Sequence, residues 1–373
     1  MKTIVISAVN LNRGGTLTIL RDCLAYLSAL ATDGGYRIVA MVYKRELADY
    51  PNIEYIETQW PKKRWINRLW YEYVSLKKVS GEIGEIDLWL SLHDTTPNVT
   101  ARRQAVYCHN SYPFYKWSWR ECFMAPKIVL FALFSKLIYR IGIHKNSYVI
   151  VQQQWLKDAF KRMFALSKEQ IILALPNKKP DATYFETVTE RKAAVYSFIY
   201  AATADSHKNF ELICRAAEIL ERKEGQVNFK VYITFVGNEN TYAKWIYDQW
   251  GTLKTLSFIG FQSRQSLYTY YAQSDCLLFP SKVETWGLPI TEFAAFGKPM
   301  LLADLPYAHE TAAGLQQVAF FDPDKAEQLA AQMRQLIEND ESFLQRVPDR
   351  ELEGPLSHHW KELFEILLKD DKN

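Results

Sequence analysis

Two glutamates, Glu284 and Glu292, stand with seven residues between them in the stretch PSKVETWGLPITEF. Each carboxylate can accept hydrogen bonds from a pair of vicinal hydroxyls, so a loop and helix start that present both can line one polyol site. Pro289 suits the first residue of a helix. The backbone N–H groups of Trp286, Gly287 and Leu288 then lie free at the positive end of the helix dipole, a seat for phosphate or sugar oxygens. Gly287 allows a ligand close to the backbone. A plainer reading fits the same residues: Glu292 complements the dipole and Glu284 is a solvated loop acid.

Positioning such a loop is the work of the strand before it. Cys276–Phe279 is a short apolar run, and similar runs alternate with helix-length segments along the chain. The pattern predicts strands at Thr3–Val9, Arg37–Tyr43, Asp87–Leu92, Gln104–Tyr107, Tyr148–Val151 and Ile171–Leu175, with helices from about Leu17 and across Trp155–Phe164. Residues 177–194 are polar, contain Pro180 and read as a linker. A second series follows at Val195–Tyr200, Phe229–Phe235, Leu256–Ile259, Cys276–Phe279 and Pro299–Leu302. Strand and helix in alternation, twice over, imply two doubly wound α/β domains with ligands at the carboxyl ends of the strands. The length, 373 residues, suits two domains.

Polar residues do gather after those strands. Arg13, Gly14 and Gly15 follow the first, Asp94 the SLHD run, and His109 the strand Gln104–Tyr107. A lone histidine is more often structural than chemical, and an exposed arginine often binds nothing. The glycine pair is neither a dinucleotide GxGxxG nor a P-loop, which weighs against nicotinamide and kinase chemistry. Asp322-Pro323-Asp324 matches a metal-binding DxD pattern. Its place favours Asp324 as the N-cap of a helix beginning near Lys325, so no metal is expected there.

The stretch Leu256–Ile337 resembles the signature region of retaining glycosyltransferase family 4, which has an E-x7-E motif on a GT-B fold: two Rossmann-like doubly wound domains facing across a cleft. The likeness runs through SFIGFQSRQSLYTYYAQSDCLLFPSKVETWGLPITEFAAFGKPMLLADLP and FFDPDKAEQLAAQMRQLI. It implies an acceptor-side domain over residues 1–180, a nucleotide-sugar domain over 190–356, and a last helix, about 357–369, that packs back on the first. By resemblance Glu284 contacts hydroxyls of the transferred sugar, Glu292 the ribose, and Lys208 the donor diphosphate. Gly260, Phe261, Gln262 and Ser263 match the loop that holds the base, with Gly260 also explicable as a turn. Gly14 and Gly15 match the backbone near the diphosphate, and His109 a histidine near the reacting sugar. Arg13 and Asp94 are further candidates for diphosphate or acceptor contact. The family's arginine ahead of the lysine is missing: Ala202 and Thr203 stand there.

The implied activity is retaining, metal-independent hexosyl transfer from a UDP-, GDP- or dTDP-linked sugar to a glycan, lipid-linked in O-antigen or capsule assembly. The nucleotide sugar is a substrate, and no cofactor is expected. A weak or inactive partner subunit that binds nucleotide sugar is the alternative, motivated by Ala202 and Thr203.

Charge adds a hint about the acceptor. Residues 1–185 hold 26 Lys and Arg against 15 Asp and Glu, and residues 186–373 hold 19 against 27. A basic first half suits a phospholipid surface, a lipid diphosphate or nucleic acid, or is a chance tilt. No nucleic-acid motif accompanies it, so nucleic acid is not expected. Basic and aromatic residues crowd WPKKRWINRLW and Tyr112–Arg140, as on a membrane surface or a solvated face. Ile128–Ile143 is too short and too charged to span a bilayer and reads as an interfacial or a partly buried helix. Five scattered cysteines without metal-ligand spacing, and a chain that opens on a strand pattern, lead to the expectation of a cytoplasmic protein, peripheral on the inner face of the membrane.

Overall fold

The computed structural model describes residues 1–369 apart from 116, 118, 120, 125, 177–194, 224 and 226, and only the backbone of Glu121 and Met124. The expected linker, 177–194, lies outside the described residues. The chain divides into two compact units. The first comprises Met1–Asn110, Phe134–Asn177 and Leu352–Asn373, and the second Ser111–Leu133 and Lys178–Glu351.

In the first unit eight strands form one parallel sheet: β1 (Lys2–Ser7), β2 (Tyr36–Val42), β3 (Glu54–Glu57), β4 (Leu88–Ser91), β5 (Arg103–Tyr107), β6 (Tyr148–Val151), β7 (Ile171–Ala174) and, from the C-terminal segment, β14 (Leu356–Ser357). Their order is β14-β7-β6-β5-β4-β1-β2-β3. The central strands are buried on both faces, which is why they read as near-continuous apolar runs. Ile4, Ile6, Leu24, Leu27 and Leu90 fill one face beneath the helix Gly14–Ala31, while Val5, Val39, Trp89 and Leu76 fill the other.

The C-terminal segment is held to this unit at several points. Leu356 pairs with Leu173. In the helix Trp360–Leu368, Leu363, Phe364 and Leu367 are buried in the first core, with Phe364 stacked on Tyr26 at 5.5 Å. The buried Lys157 ammonium donates to the carbonyls of Glu353 and Gly354 at 2.9 and 2.8 Å. Carbonyl oxygens at this spacing replace the water that a buried ammonium gives up.

The second unit has six parallel strands: β8 (Tyr196–Tyr200), β9 (Phe229–Ile233), β10 (Leu256–Phe258), β11 (Cys276–Phe279), β12 (Met300–Ala303) and β13 (Val318–Phe321). Their order is β10-β9-β8-β11-β12-β13. Within each unit the chain winds outward from its first strand in one direction, then returns and winds in the other. The reversal falls between β1 and β4 in the first sheet and between β8 and β11 in the second, the switch points where such sheets take ligands.

Ser111–Leu133 sits with the second unit because Tyr115 and Ala132 share a small buried cluster with Val283. The apolar run that begins within this segment forms the helix Pro126–Arg140. Val129, Ala132 and Tyr139 are buried along one side, while Leu130, Leu133, Phe134 and Leu137 are exposed along the other. Among the described residues, no helix is long and apolar enough to cross a membrane.

Three strands escaped the sequence reading. β3 is a charged edge of four residues, β13 ends against a polar turn, and β14 is two residues long and defined only by its pairing with β7.

Candidate functional site

The second unit's switch point is assembled from the loops after β8 and β11. Beyond β8 the chain makes a 3-10 turn, Ser206–Lys208, and Asn209 follows in the left-handed region with φ 60°. The Asn209 amide donates to the carbonyls of Pro280 and Pro323 at 3.2 and 2.8 Å, tying this turn to the loops after β11 and β13. Lys282 N donates to His207 O at 2.8 Å, and Ser281 Oγ to the same carbonyl at 3.3 Å. Tyr307 holds Ser281 O at 2.6 Å, and Tyr200 holds Lys208 O at 2.9 Å.

These tethers bring Lys208 Nζ to 2.5 Å from Glu284 Oε1, across 76 positions of sequence. Both side chains are largely enclosed, 16% and 14% exposed. Two opposite charges so shielded interact more strongly than at a surface, and each depends on the other for compensation. Burial, and then the charge of Glu284, raises the hydroxyls of Tyr200 and Tyr307 well above the ordinary tyrosine value. Burial, then Asp205 and Glu284, does the same to Tyr112. Three neutral phenols therefore surround the Glu284 charge.

Tyr112 was not singled out from sequence. Its hydroxyl lies 3.2 Å from His207 Nδ1. Burial, and then the Lys208 charge, holds His207 well below the ordinary histidine value, so the ring is neutral near pH 7. The only signal for Tyr112 was the aromatic run after His109, since its partner lies 95 positions away.

Glu292 belongs to the adjoining helix Leu288–Ala294 and faces Arg264, 4.0 Å from its Nη2, rather than Lys208. That helix begins one residue ahead of the expected start: Leu288 is its first residue, Pro289 its second, and Gly287 its cap. Both early positions tolerate proline because neither donates within the helix. Gly287 has φ +84°, and a Cβ there would meet Ile290 at 3.2 Å and Phe279 at 3.4 Å, so only glycine fits without strain. Among the described residues, none accepts a hydrogen bond from the backbone N–H of Trp286 or Gly287. Trp286 is fixed by its own indole, which donates to Thr291 Oγ1 at 2.9 Å, and by Thr311, which donates to its carbonyl.

Gly260 also has positive φ, +74°, and turns the chain so that Phe261 stands 92% exposed. Ser263 caps the next helix by accepting from Ser266 N at 3.2 Å. Where the resemblance leads one to expect an arginine, Thr203 Oγ1 donates to Asp205 at 2.6 Å and Ala202 N to Thr234 Oγ1 at 3.0 Å. No cation occupies those two positions.

In the first unit Asp94 and His109 come together. Asp94 Oδ1 accepts from His109 N at 2.6 Å and from Tyr139 Oη at 2.9 Å. The His109 ring stacks on Tyr107 at 4.3 Å, and burial lowers its pKa while Asp94 opposes that shift. Asp94 thus organises the His109 loop. The glycine pair differs from expectation: the helix starts at Gly14 rather than near Leu17, so Gly14 and Gly15 are its first turn. A Cβ at either would meet nothing within 4 Å, which leaves this turn open to a ligand, and Gly14 has φ +61°.

Asp324 is not an N-cap. The helix runs Ala326–Ile337 with Lys325 ahead of it, and no side chain caps it. Asp322 instead closes the preceding turn, accepting from Asp324 N at 3.0 Å and pairing with Lys325 at 3.1 Å. Those contacts use the DxD carboxylate that a metal would need. Among the described residues, no group of three or more His, Cys, Asp or Glu is placed to hold a metal ion.

Two Rossmann-like units of this topology constitute the GT-B fold, and comparison with solved structures agrees. The lipopolysaccharide glycosyltransferase WaaG superposes with a TM-score of 0.64 at 13% identity, over 92% of this chain and 93% of that one. HepE of Anabaena, solved with UDP and glucose, gives 0.60 at 15% identity over 92% of each chain. Residues 187–347 match the family described as glycosyl transferases group 1. The O-antigen chain mannosyltransferase RfbU of Salmonella typhimurium is 21% identical over 243 residues, 64% of this chain and 62% of that protein. Residues 187–347 are thus similar to group 1 glycosyl transferases, on a chain with the GT-B fold.

Proposed function

We propose that this chain is a retaining glycosyltransferase that moves a sugar from a nucleoside diphosphate to a hydroxyl of a lipid-linked glycan acceptor, in O-antigen or capsule assembly on the inner face of the cytoplasmic membrane. The observation that carries the proposal is the enclosed Lys208–Glu284 pair at the switch point of the group 1 segment. A donor diphosphate offers Lys208 a stronger anionic partner, and the sugar hydroxyls offer Glu284 donors, so one ligand satisfies both groups as it separates them. Lys208 then offsets the charge that builds on the leaving nucleoside diphosphate.

In this reading the amides of Trp286 and Gly287 receive anionic or sugar oxygens, Glu292 takes the ribose, and the Gly260–Phe261 turn takes the base. Gly14 and Gly15 serve the donor diphosphate, His109 the reacting sugar, and Arg13 and Asp94 the acceptor. Retention follows from a front-side route in which the departing phosphate oxygen deprotonates the acceptor, and neither a metal nor a cofactor is required. Two similar proteins, an O-antigen chain mannosyltransferase and one whose structure holds UDP and glucose, are compatible with this substrate class.

Proton NMR of the first-formed product tests the stereochemistry: the same anomeric configuration as in the donor is expected, and inversion would refute the front-side route. The uncharged positions Ala202 and Thr203 favour a second reading, a weak or inactive subunit that binds nucleotide sugar. Donor turnover that disappears in Glu284→Ala would exclude it.

A further inference from the structure

In the first unit the loop after β1 is gripped by two cations, Lys62 and Arg68, to which the proposed transfer gives no role. Lys62 Nζ donates to Asn12 Oδ1 at 2.5 Å. The Arg68 guanidinium reaches the Asn10 side-chain oxygen at 3.1 to 3.3 Å when that amide is turned to accept. Arg68 Nη2 also donates to His93 O, just past β4, at 2.9 Å, so it bridges the two strands of the switch point. Arg13 follows directly on Asn12 and is exposed. Burial, then the charges of Arg13 and Arg68, lowers the Lys62 ammonium from its ordinary value, so the three cations share one neighbourhood.

The carboxylate beneath them is shared between Arg68 and His93. Glu72 is 2% exposed, lies 4.0 Å from Arg68 Nε and pairs with His93 Nε2 at 2.8 Å. It anchors Arg68 from the core side and leaves Lys62 and Arg13 to solvent. Mutual repulsion of like charges is relieved by an anion bound among them.

We infer that Arg13, Lys62 and Arg68 form a phosphate-binding site at the carboxyl end of β1, and that its ligand is the diphosphate of a lipid-linked acceptor. The site stands on the cations alone; the word acceptor rests on the transfer reading. The lipid source is favoured by the helix that carries Arg68, Trp65–Trp70, on which Trp65, Ile66 and Trp70 are 51%, 66% and 60% exposed. Bare aromatic and aliphatic side chains next to cations match a ligand whose anion adjoins a hydrocarbon chain.

Calorimetry on the full chain at low salt tests this, with farnesyl diphosphate as the lipid probe and UDP, GDP and dTDP as donor probes. In the double variant Lys62→Met/Arg13→Gln, farnesyl diphosphate is expected to bind at least about tenfold more weakly, as befits two lost charge-assisted contacts. Nucleoside diphosphate affinity is expected to stay within about twofold, well under the tenfold that one such contact carries. Lys62→Arg, which keeps the cation, should retain lipid diphosphate binding. Unchanged farnesyl diphosphate affinity in the double variant would overturn the site. Weakened nucleoside diphosphate binding with lipid diphosphate binding intact would overturn the acceptor assignment. If no nucleoside diphosphate binds while farnesyl diphosphate still depends on Lys62 and Arg13, the transfer reading fails and the site stands.

Discussion

The two units solve the same electrostatic problem in opposite ways. At the second switch point the cation Lys208 is neutralised by Glu284 at 2.5 Å, largely out of solvent, and neutral phenols complete its surroundings. At the first, Lys62 and Arg13 remain exposed, and the nearby carboxylate Glu72 is spent on His93. A charge already paired must exchange partners when a ligand arrives, which rewards a ligand that satisfies both partners and rejects one that satisfies only the cation. Exposed, unbalanced cations attract any phosphate and leave specificity to whatever adjoins them. On the proposed reading, the second unit selects its ligand and the first captures one.

The largest effect is expected from removing the C-terminal segment that completes the first unit. Deletion from Ser357 onward strips Leu363, Phe364 and Leu367 from that core, and burying each is worth about 1.5–3 kcal/mol. Thermal denaturation should show that unit unfolded or deeply destabilised, with the second unit less affected. A stable truncate with an intact first transition would refute this.

Next comes the ion pair. Either Lys208→Met or Glu284→Gln leaves one enclosed group without its partner, and each single change should cost about 3 kcal/mol, the range for breaking a buried pair. The double variant should be less destabilised than the sum, and a denaturant cycle measures the coupling. Strict additivity would mean the pair is not mutually dependent.

That pair also marks how far sequence could be read. Glu284 and Glu292 were visible from their spacing after a recognisable strand and Lys208 from the family resemblance, and the two-series α/β pattern was visible in apolar runs that burial on both faces makes continuous. The contact between Lys208 and Glu284 was not, because it depends on Asn209 tying its own turn to two loops 71 and 114 positions away. Tyr112, whose partner His207 lies 95 positions away, was hidden for the same reason. β14, the start of the helix at Gly14 and the role of Asp322 depend on pairing or local turns that composition does not encode.

A smaller loss is expected for Gly287→Ala, about 1–3 kcal/mol, since the new Cβ meets Ile290 at 3.2 Å and the backbone sits at φ +84°. Gly15 in the first unit makes the contrast, because a Cβ there meets nothing within 4 Å. Gly15→Ala should therefore leave melting nearly unchanged, and its effect, if any, should fall on ligand binding. Equal destabilisation by both changes would contradict this contrast.

The smallest effect concerns pH. His207 titrates well below the ordinary histidine value in the folded chain because it is buried beside Lys208. Below about pH 6.5 the unfolded chain therefore takes up a proton that the folded one refuses, and stability falls as the solution is acidified towards the folded pKa. His207→Gln, which can still face Tyr112, should flatten that decline in chemical denaturation between pH 7 and 5. An unchanged slope would show that His207 is not its source.

The most direct measurement is a thermal-shift panel of UDP, GDP, dTDP and their sugars on the wild-type chain and on Lys208→Met. One nucleotide series should raise the second unit's transition, the sugar-linked form more than the bare nucleotide, and Lys208→Met should abolish most of the gain. No stabilisation by any of them, or equal stabilisation in Lys208→Met, would contradict a donor site built on the Lys208–Glu284 pair.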